Sequence, residues 1–303
     1  MQNREEDMTI RNPVELGADY LGHAASAVRS AGSAIHRPEE ALHAPLPAVR
    51  KIVLTDLRDA LAEGYEDFTV SRTHVIFLCL IYPVIGLVLA RMVVGEGMFQ
   101  MLFPIASGFA LIGPFVGIGL YEMSRQRERG VAVNWSTAFQ VLRSPSAGAI
   151  AVLGLLLTAI FLLWVFTAQS IYDMTLGPHL PASLAIFVHD VVATPAGWVL
   201  MGAGVGIGFL FAVLVFAISV VTFPLLIDRQ DVGLDVAIGT SIRAVIANPW
   251  PMAVWGAVVA GSLALGSIPL FVGLAFVMPV LGHATWHLYR KVSPKQTAGE
   301  VTH

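Results

Sequence analysis

The sequence predicts an all-α, polytopic membrane protein: six transmembrane helices in three repeats, each an interfacial amphipathic helix followed by a transmembrane hairpin. Three observations predict it. Of 303 residues, 56% are hydrophobic and 13% charged, where an average soluble domain carries roughly a quarter charged. Apolar runs recur at the length a bilayer demands. The basic residues are also segregated: residues 1–73 hold eight of the eighteen Lys and Arg, and residues 147–227 hold none.

The elements follow in order. Residues 1–49 are rich in Ala, Gly, Ser and His, a composition that points to a mostly disordered tail, with Leu21, Ala24, Ala25, Val28 and Ile35 able to form a weak amphipathic helix. The opening MQNREEDMTI is polar and acidic, without the basic start and apolar stretch of a signal peptide, so the first membrane helix is expected to direct insertion. A helix rises about 1.5 Å per residue through a hydrocarbon core about 30 Å thick, so a crossing takes about 20 apolar residues. Val75–Val94, Met98–Tyr121, Ala147–Ala168 and Trp198–Ile227 meet that length. Pro251–Tyr289 runs 39 residues without a formal charge. It is too long for one crossing and suited to two, with Gly266, Ser267 and Pro269 supplying the turn. Residues 293–303 are expected to be a disordered tail.

Lys and Arg near crossings remain on the cytoplasmic side. With six crossings and both termini cytoplasmic, seventeen of the eighteen basic residues fall inside, leaving only Arg91 outside, where its long stem lets it snorkel. Five crossings would strand Arg290, Lys291 and Lys295 on the far side.

An amphipathic stretch precedes each hairpin. Leu54, Leu57, Leu61, Tyr65 and Phe68 form a stripe in the first; Trp135, Ala138, Phe139 and Leu142 in the second; Leu234, Ala237, Ile238, Ile242, Val245 and Ile246 in the third. Helices this short lie in the headgroup plane. Ser144-Pro145 and Asn248-Pro249 end the second and third. The repeats therefore run about 50–129, 130–230 and 231–292 within a 50–292 membrane domain. PFVGIGLYEMSR (114–125) and PVLGHATWHLYR (279–290) align without gaps, pairing Pro114 with Pro279, Gly117 with Gly282, Tyr121 with Trp286 and Arg125 with Arg290.

Chemistry is sparse. His283 and His287 stand four apart, a spacing that suits two metal ligands on one helix face, and Glu122 is the one candidate for a third. Two histidines do not close a site, so the preferred reading is polar residues in a headgroup-level aromatic belt, with no metal, cofactor or catalytic residue. His189-Asp190 in the outer loop lacks a nucleophile or further ligands, and SLAIFVHDVV reads as a short helix on the outer leaflet. Gly202, Gly204, Gly206 and Gly208 repeat the small-residue spacing of close helix packing, as do the kink and approach positions Pro114, Gly117, Pro279 and Gly282. Cys79 is the single cysteine, so no disulfide forms within the chain. The crossings carry almost no ionisable groups, which disfavours an ion or proton relay, and a net charge of -3 does not suit nucleic acid.

TDLRDALAEGYEDF, FPLLIDRQDVGLDVAIGTSIRAVIANPWPM and PVLGHATWHLYR, three motifs in order across about residues 50–292, resemble the bacterial family called domain of unknown function 2189, predicted integral membrane proteins. The resemblance implies an inner-membrane location and little about chemistry. Some members carry the label of cytochrome c oxidase subunit I, but this chain offers two close histidines where haem and copper need a full ligand set. The expected function is a non-enzymatic scaffold or accessory component, contacting membrane lipids and other membrane proteins or a second copy of itself. The alternatives are a transporter or permease for a small neutral or lipid-like solute, and a metal- or haem-binding redox accessory subunit.

Overall fold

The computed structural model describes residues 47–294, in which every regular element is a helix. In chain order these are α1 (Leu54–Cys79), α2 (Ile81–Gly95), a 3-10 turn (Phe99–Met101), α3 (Leu102–Glu128), a 3-10 helix (Trp135–Arg143), α4 (Ala147–Thr175), α5 (Leu184–Ala193), α6 (Pro195–Ser219), α7 (Thr222–Asp228), α8 (Leu234–Ala247), α9 (Pro249–Ser267) and α10 (Leu274–Val292). The tails from 1 to 46 and from 295 to 303, with the weak helix read through Leu21 and Ile35, lie outside the described residues.

Three helices among the described residues are long and apolar enough to cross a membrane: Ala147–Thr175, the continuous stretch Pro195–Asp228, and Pro249–Ser267. They coincide with the third, fourth and fifth crossings expected from the sequence. Pro83–Gly95 and Leu184–Ala193 are apolar but shorter.

The three amphipathic stretches take three different forms. Nothing between Phe68 and Val75 stops a helix, so the first runs straight into the following apolar segment as one helix, α1. Its inner face is Leu57, Ala60, Gly64 and Phe68, while Leu54 and Tyr65 from the expected stripe are about half exposed. The small residues Ala60 and Gly64 turn inward because they let α1 approach α10. A Cβ on Gly64 would stand 2.4 Å from the backbone nitrogen of Ala284. This half of α1 packs along α10. The second stretch is a 3-10 helix capped by Asn134, whose side chain accepts from the Ser136 and Thr137 amides. The tighter winding, about three residues per turn, brings Val141 inward and leaves Phe139 exposed. The third is α8, which buries Leu234, Ala237, Thr240, Ser241 and Ala244 and turns Ile246 outward, 72% exposed.

Of the two prolines expected to part helices, Pro249 opens one, while Pro145 lies in the turn before α4, which starts at Ala147. Asn248 ends α8 and Pro249 opens α9. Asn248 also fastens the chain entry, accepting from the Ile52 amide at 2.7 Å and donating to the Arg50 carbonyl at 3.2 Å. The α9–α10 turn falls at residues 268–273; Pro269 of the expected turn lies in it, Gly266 and Ser267 still belong to α9, and its left-handed positions are Leu270 and Phe271, at φ 52° and 64°. Such conformations are strained for residues with a Cβ. The Phe271 ring closes over Gly86 of α2, where a Cβ would lie 2.7 Å from it. The break between α6 and α7 frees a backbone amide, and Ser241 of α8 satisfies it by accepting from Val221 N at 3.1 Å.

Candidate functional site

Two features could carry function. The first is a cluster of charged and polar side chains where α1, α3, α7 and α10 meet. Glu63 and Asp67 on α1 are four apart, and His283, His287 and Lys291 follow at the same spacing on α10, so the two helices present complementary ladders. Glu63 accepts from Lys291 at 3.0 Å and faces His287 Nδ1 at 2.9 Å; His287 Nε2 lies 2.9 Å from Asp67. Asp67 also accepts from Ser124 at 2.5 Å and from Arg127. Burial pushes the Asp67 carboxyl up, but hydrogen bonds from His287 and Ser124 and the neighbouring imidazoles outweigh it and hold the carboxyl below its ordinary value.

His283 is buried, 1% exposed, with Nδ1 2.7 Å from Ser124 Oγ. It sits inside the bundle, not in a solvated aromatic belt, because α1 stands against α10 and covers it. Glu122 is turned to Arg125 and Gln126, at 2.9 and 2.6 Å. The structure therefore does not gather His283, His287 and Glu122, and among the described residues no group of three or more His, Cys, Asp or Glu is placed to hold a metal ion. Ser124, His283 and Asp67 do share a neighbourhood, yet Ser124 and Asp67 both lie on the Nδ1 edge of the ring. Nucleophilic catalysis needs serine and carboxylate on opposite ring nitrogens and a reachable hydroxyl; Ser124 is 1% exposed.

The matched arginines meet at one place. Arg125 donates to the Ile227 carbonyl at 2.8 Å, and Arg290 grips Asp228 with two nitrogens at 2.5 and 2.9 Å. Both hold the C-terminal end of α7, where unpaired carbonyls favour cations. Tyr289 donates to Asp228 at 2.8 Å, Trp286 donates to Glu128 at 2.9 Å, and the Arg290 guanidinium lies 4.6 Å from the centre of the Trp286 ring.

The second feature is a cleft of about 600 Å³ between α3, α4, α6, α9 and α10. Small-molecule sites span roughly 300–1,000 Å³. Pro249 and Leu263 of α9 both line it, and fourteen residues of helix rise about 21 Å. Its exposed lips are Phe209 and Val213 of α6 and Ala257 and Ala260 of α9. Aromatic rings form the back wall. Trp164 donates to Ser107 at 2.8 Å and stands 5.5 Å from Phe211. Among the described residues no lining residue is charged.

The glycines and prolines divide between close contacts and open faces. Gly208 faces Trp164, at 3.0 Å from a Cβ built there, and Gly282 faces Leu120 at 2.4 Å. At Gly117 a Cβ would meet the Tyr121 hydroxyl at 2.8 Å, so this glycine makes room for the Tyr121 ring to fold back along α3. Gly202, Gly204 and Gly206 have nothing within 4 Å of a Cβ. Pro279 is buried within α10, and α3 continues through Pro114.

Residues 102–228 match the family model described as predicted integral membrane protein (DUF2189). The resemblance read from the sequence is shown over that stretch, which runs from α3 through α7. TDLRDALAEGYEDF and PVLGHATWHLYR lie on either side of it. No curated protein and no solved structure matches the chain. With three helices of crossing length, the match makes this an integral membrane protein.

Sequence reading missed Asp67 and Ser124, the centre of the buried cluster. The signal was present: acids at 63 and 67 and bases at 283, 287 and 291 share one helical period. Only the pairing of α1 with α10 was hidden. The cleft had no signal, since its lining residues are ordinary membrane-helix residues.

Proposed function

We propose that this protein is a non-enzymatic component of the bacterial inner membrane that holds the apolar chain of a lipid-like molecule in the cleft between α6 and α9. The size of the cleft carries the reading. A cleft of about 600 Å³ lined almost wholly by apolar side chains forfeits their dispersion contacts wherever it is left empty. The lips open sideways between helices of crossing length, so the surrounding bilayer supplies the filling. Lipid tails are as apolar as leucine, so selectivity comes from contact and shape and not from the hydrophobic effect.

Six crossings with both termini in the cytoplasm support this placement. They put the charged cluster at the cytoplasmic face and the Pro249 end of the cleft beside it, and the cleft, about 21 Å long, then covers about two thirds of a 30 Å core. In this arrangement α2 and α10 complete the hairpins of the first and third repeats.

The test is lipid content after purification from native membranes. Gly256 lines the cleft and has open space at its Cβ position, so Gly256→Trp places an indole at the cleft. The wild-type protein should retain about one more tightly held lipid per chain than the variant. Identical lipid content and composition in both would sink the reading.

A second reading is favoured by α6. Gly202 and Gly206, four apart on one face of a helix of crossing length, have open space at their Cβ positions, which suits docking of a second copy or another membrane protein, as a scaffold would use. Cysteines placed at Gly202 and Gly206 should crosslink between copies in intact membranes if this face pairs with itself.

A further inference from the structure

We infer that the cleft selects a neutral amphiphile, one whose uncharged head carries a carbonyl or hydroxyl oxygen and sits inside the protein against Ser219. The inference rests on the lipid-holding reading above and names the class of molecule held.

Two observations carry it. The cleft offers an occupant no counter-charge, because among the described residues none of its lining is charged. Arg125 of α3 does not line the cleft; it pairs with Glu122 at 2.8 Å and donates to the Ile227 carbonyl, and only its Nε is left without a partner. A carboxylate or phosphate drawn inside would lose its water and meet no charged group on the described lining. The second observation is Ser219. It lines the cleft, is 7% exposed, and its hydroxyl makes no hydrogen bond among the described residues. Serines on membrane helices commonly satisfy themselves on the carbonyl four residues back. Thr158, Thr167, Ser170 and Thr285 all do so here; Ser219 does not. The hydroxyl is not sealed off by protein but opens to the cleft, and an oxygen on the occupant gives it the partner that the protein does not.

The polar end of the cleft is local. Arg125 meets Ile227, which sets a common level for α3 and α7. From it Tyr121 lies about 6 Å and Ser219 about 12 Å farther into the membrane, at about 1.5 Å per residue. The Tyr121 hydroxyl, beside Thr285, is folded back to Gly117, eight residues from Arg125, and so lies about level with Ser219 along the axis. The rest of the cleft, towards Trp164 and Leu263, is apolar and takes the chain. A neutral head therefore lies near the charged end without touching its ions.

The test compares two lipids with the same chains, dioleoylglycerol and dioleoylphosphatidylglycerol, by native mass spectrometry of the full-length protein in detergent. The wild-type protein should retain dioleoylglycerol at least tenfold better, and Ser219→Ala should weaken dioleoylglycerol retention about three- to tenfold, the range of one hydrogen bond, while leaving the charged lipid unchanged. An unchanged melting temperature checks that the variant is folded. Equal or stronger retention of the charged lipid, or no effect of Ser219→Ala, overturns the inference. Gly256→Trp separates the two levels. If it abolishes retention of both lipids and the wild-type protein shows no preference, the cleft holds lipid but does not select a head. If it changes neither, the lipid-holding reading falls as well.

Discussion

Two helix pairs in this protein carry small residues at facing positions, with opposite outcomes. Between α1 and α10, Gly64 sits so close to Ala284 that a Cβ would stand 2.4 Å from its backbone. Between α6 and α9, Gly256 and Ala257 look into an open cleft. The difference is what accompanies the small residues. The α1–α10 contact is framed by Glu63 with Lys291 and by Asp67 with His287, while no ion pair or hydrogen bond joins α6 to α9 among the described residues. Small residues permit close approach in a membrane; complementary polar groups are what bring it about. The same contrast separates the two halves of the molecule. The charged end buries Trp286, Tyr289, Phe223 and Met123 almost completely, whereas α9 has only 17% of its crossing window buried.

Removing the polar frame should do the most damage. Asp67→Ala leaves Arg127, His287 and Ser124 without their shared acceptor. Breaking one side of a buried ionic cluster costs about 3–5 kcal/mol, here towards the lower end because Arg127 is 30% exposed. Thermal unfolding in detergent should show a drop of many degrees; a variant as stable as the parent would mean that the cluster does not hold α1 on α10. Crowding the same contact should come next. Gly64→Val forces α1 away from Ala284, an overpacking cost of about 1–3 kcal/mol, read by the same melt.

Acid should act on the charged end with a smaller effect and a definite sign. Asp67 is held below its ordinary value, so its contribution is complete above the unfolded value of about 3.9 and is lost as the pH falls through the lower folded value. The stability gap between the parent and Asp67→Asn should therefore be constant from pH 7 to about 5 and narrow only below about 4. A gap that closes between pH 7 and 5 would assign the effect to another group. The smallest effect belongs to the open face. Gly204→Leu meets nothing within 4 Å, and stability should change by no more than about 0.5 kcal/mol. A large loss there would show that α6 is covered in the membrane, and would favour the scaffold reading.

Some of this was legible in the residues. The helix boundaries at Asn248-Pro249 and Thr194-Pro195 follow from local chemistry, since proline lacks an N–H and fits the first turn of a helix. Inner faces were less legible. Large apolar residues predicted a stripe through Leu54, Leu61 and Tyr65, but the face that packs is built on Ala60 and Gly64, because approach distance and not residue size decides contact between helices. His283 shows the same gap. As a polar residue near the end of an apolar run it reads as headgroup-level, and it becomes buried only because α1, more than two hundred residues earlier in the sequence, stands against it.

The amino-acid sequence alone determined the solvent this protein folds in, the helical class and the position of its long apolar helices, because the cost of placing charge and bare backbone in oil acts on every residue regardless of its neighbours. Tertiary structure decided which carboxylate meets which histidine, and that α6 and α9 stand apart while α1 and α10 close. Those outcomes depend on distances between segments far apart in the chain, and no local pattern encodes a distance.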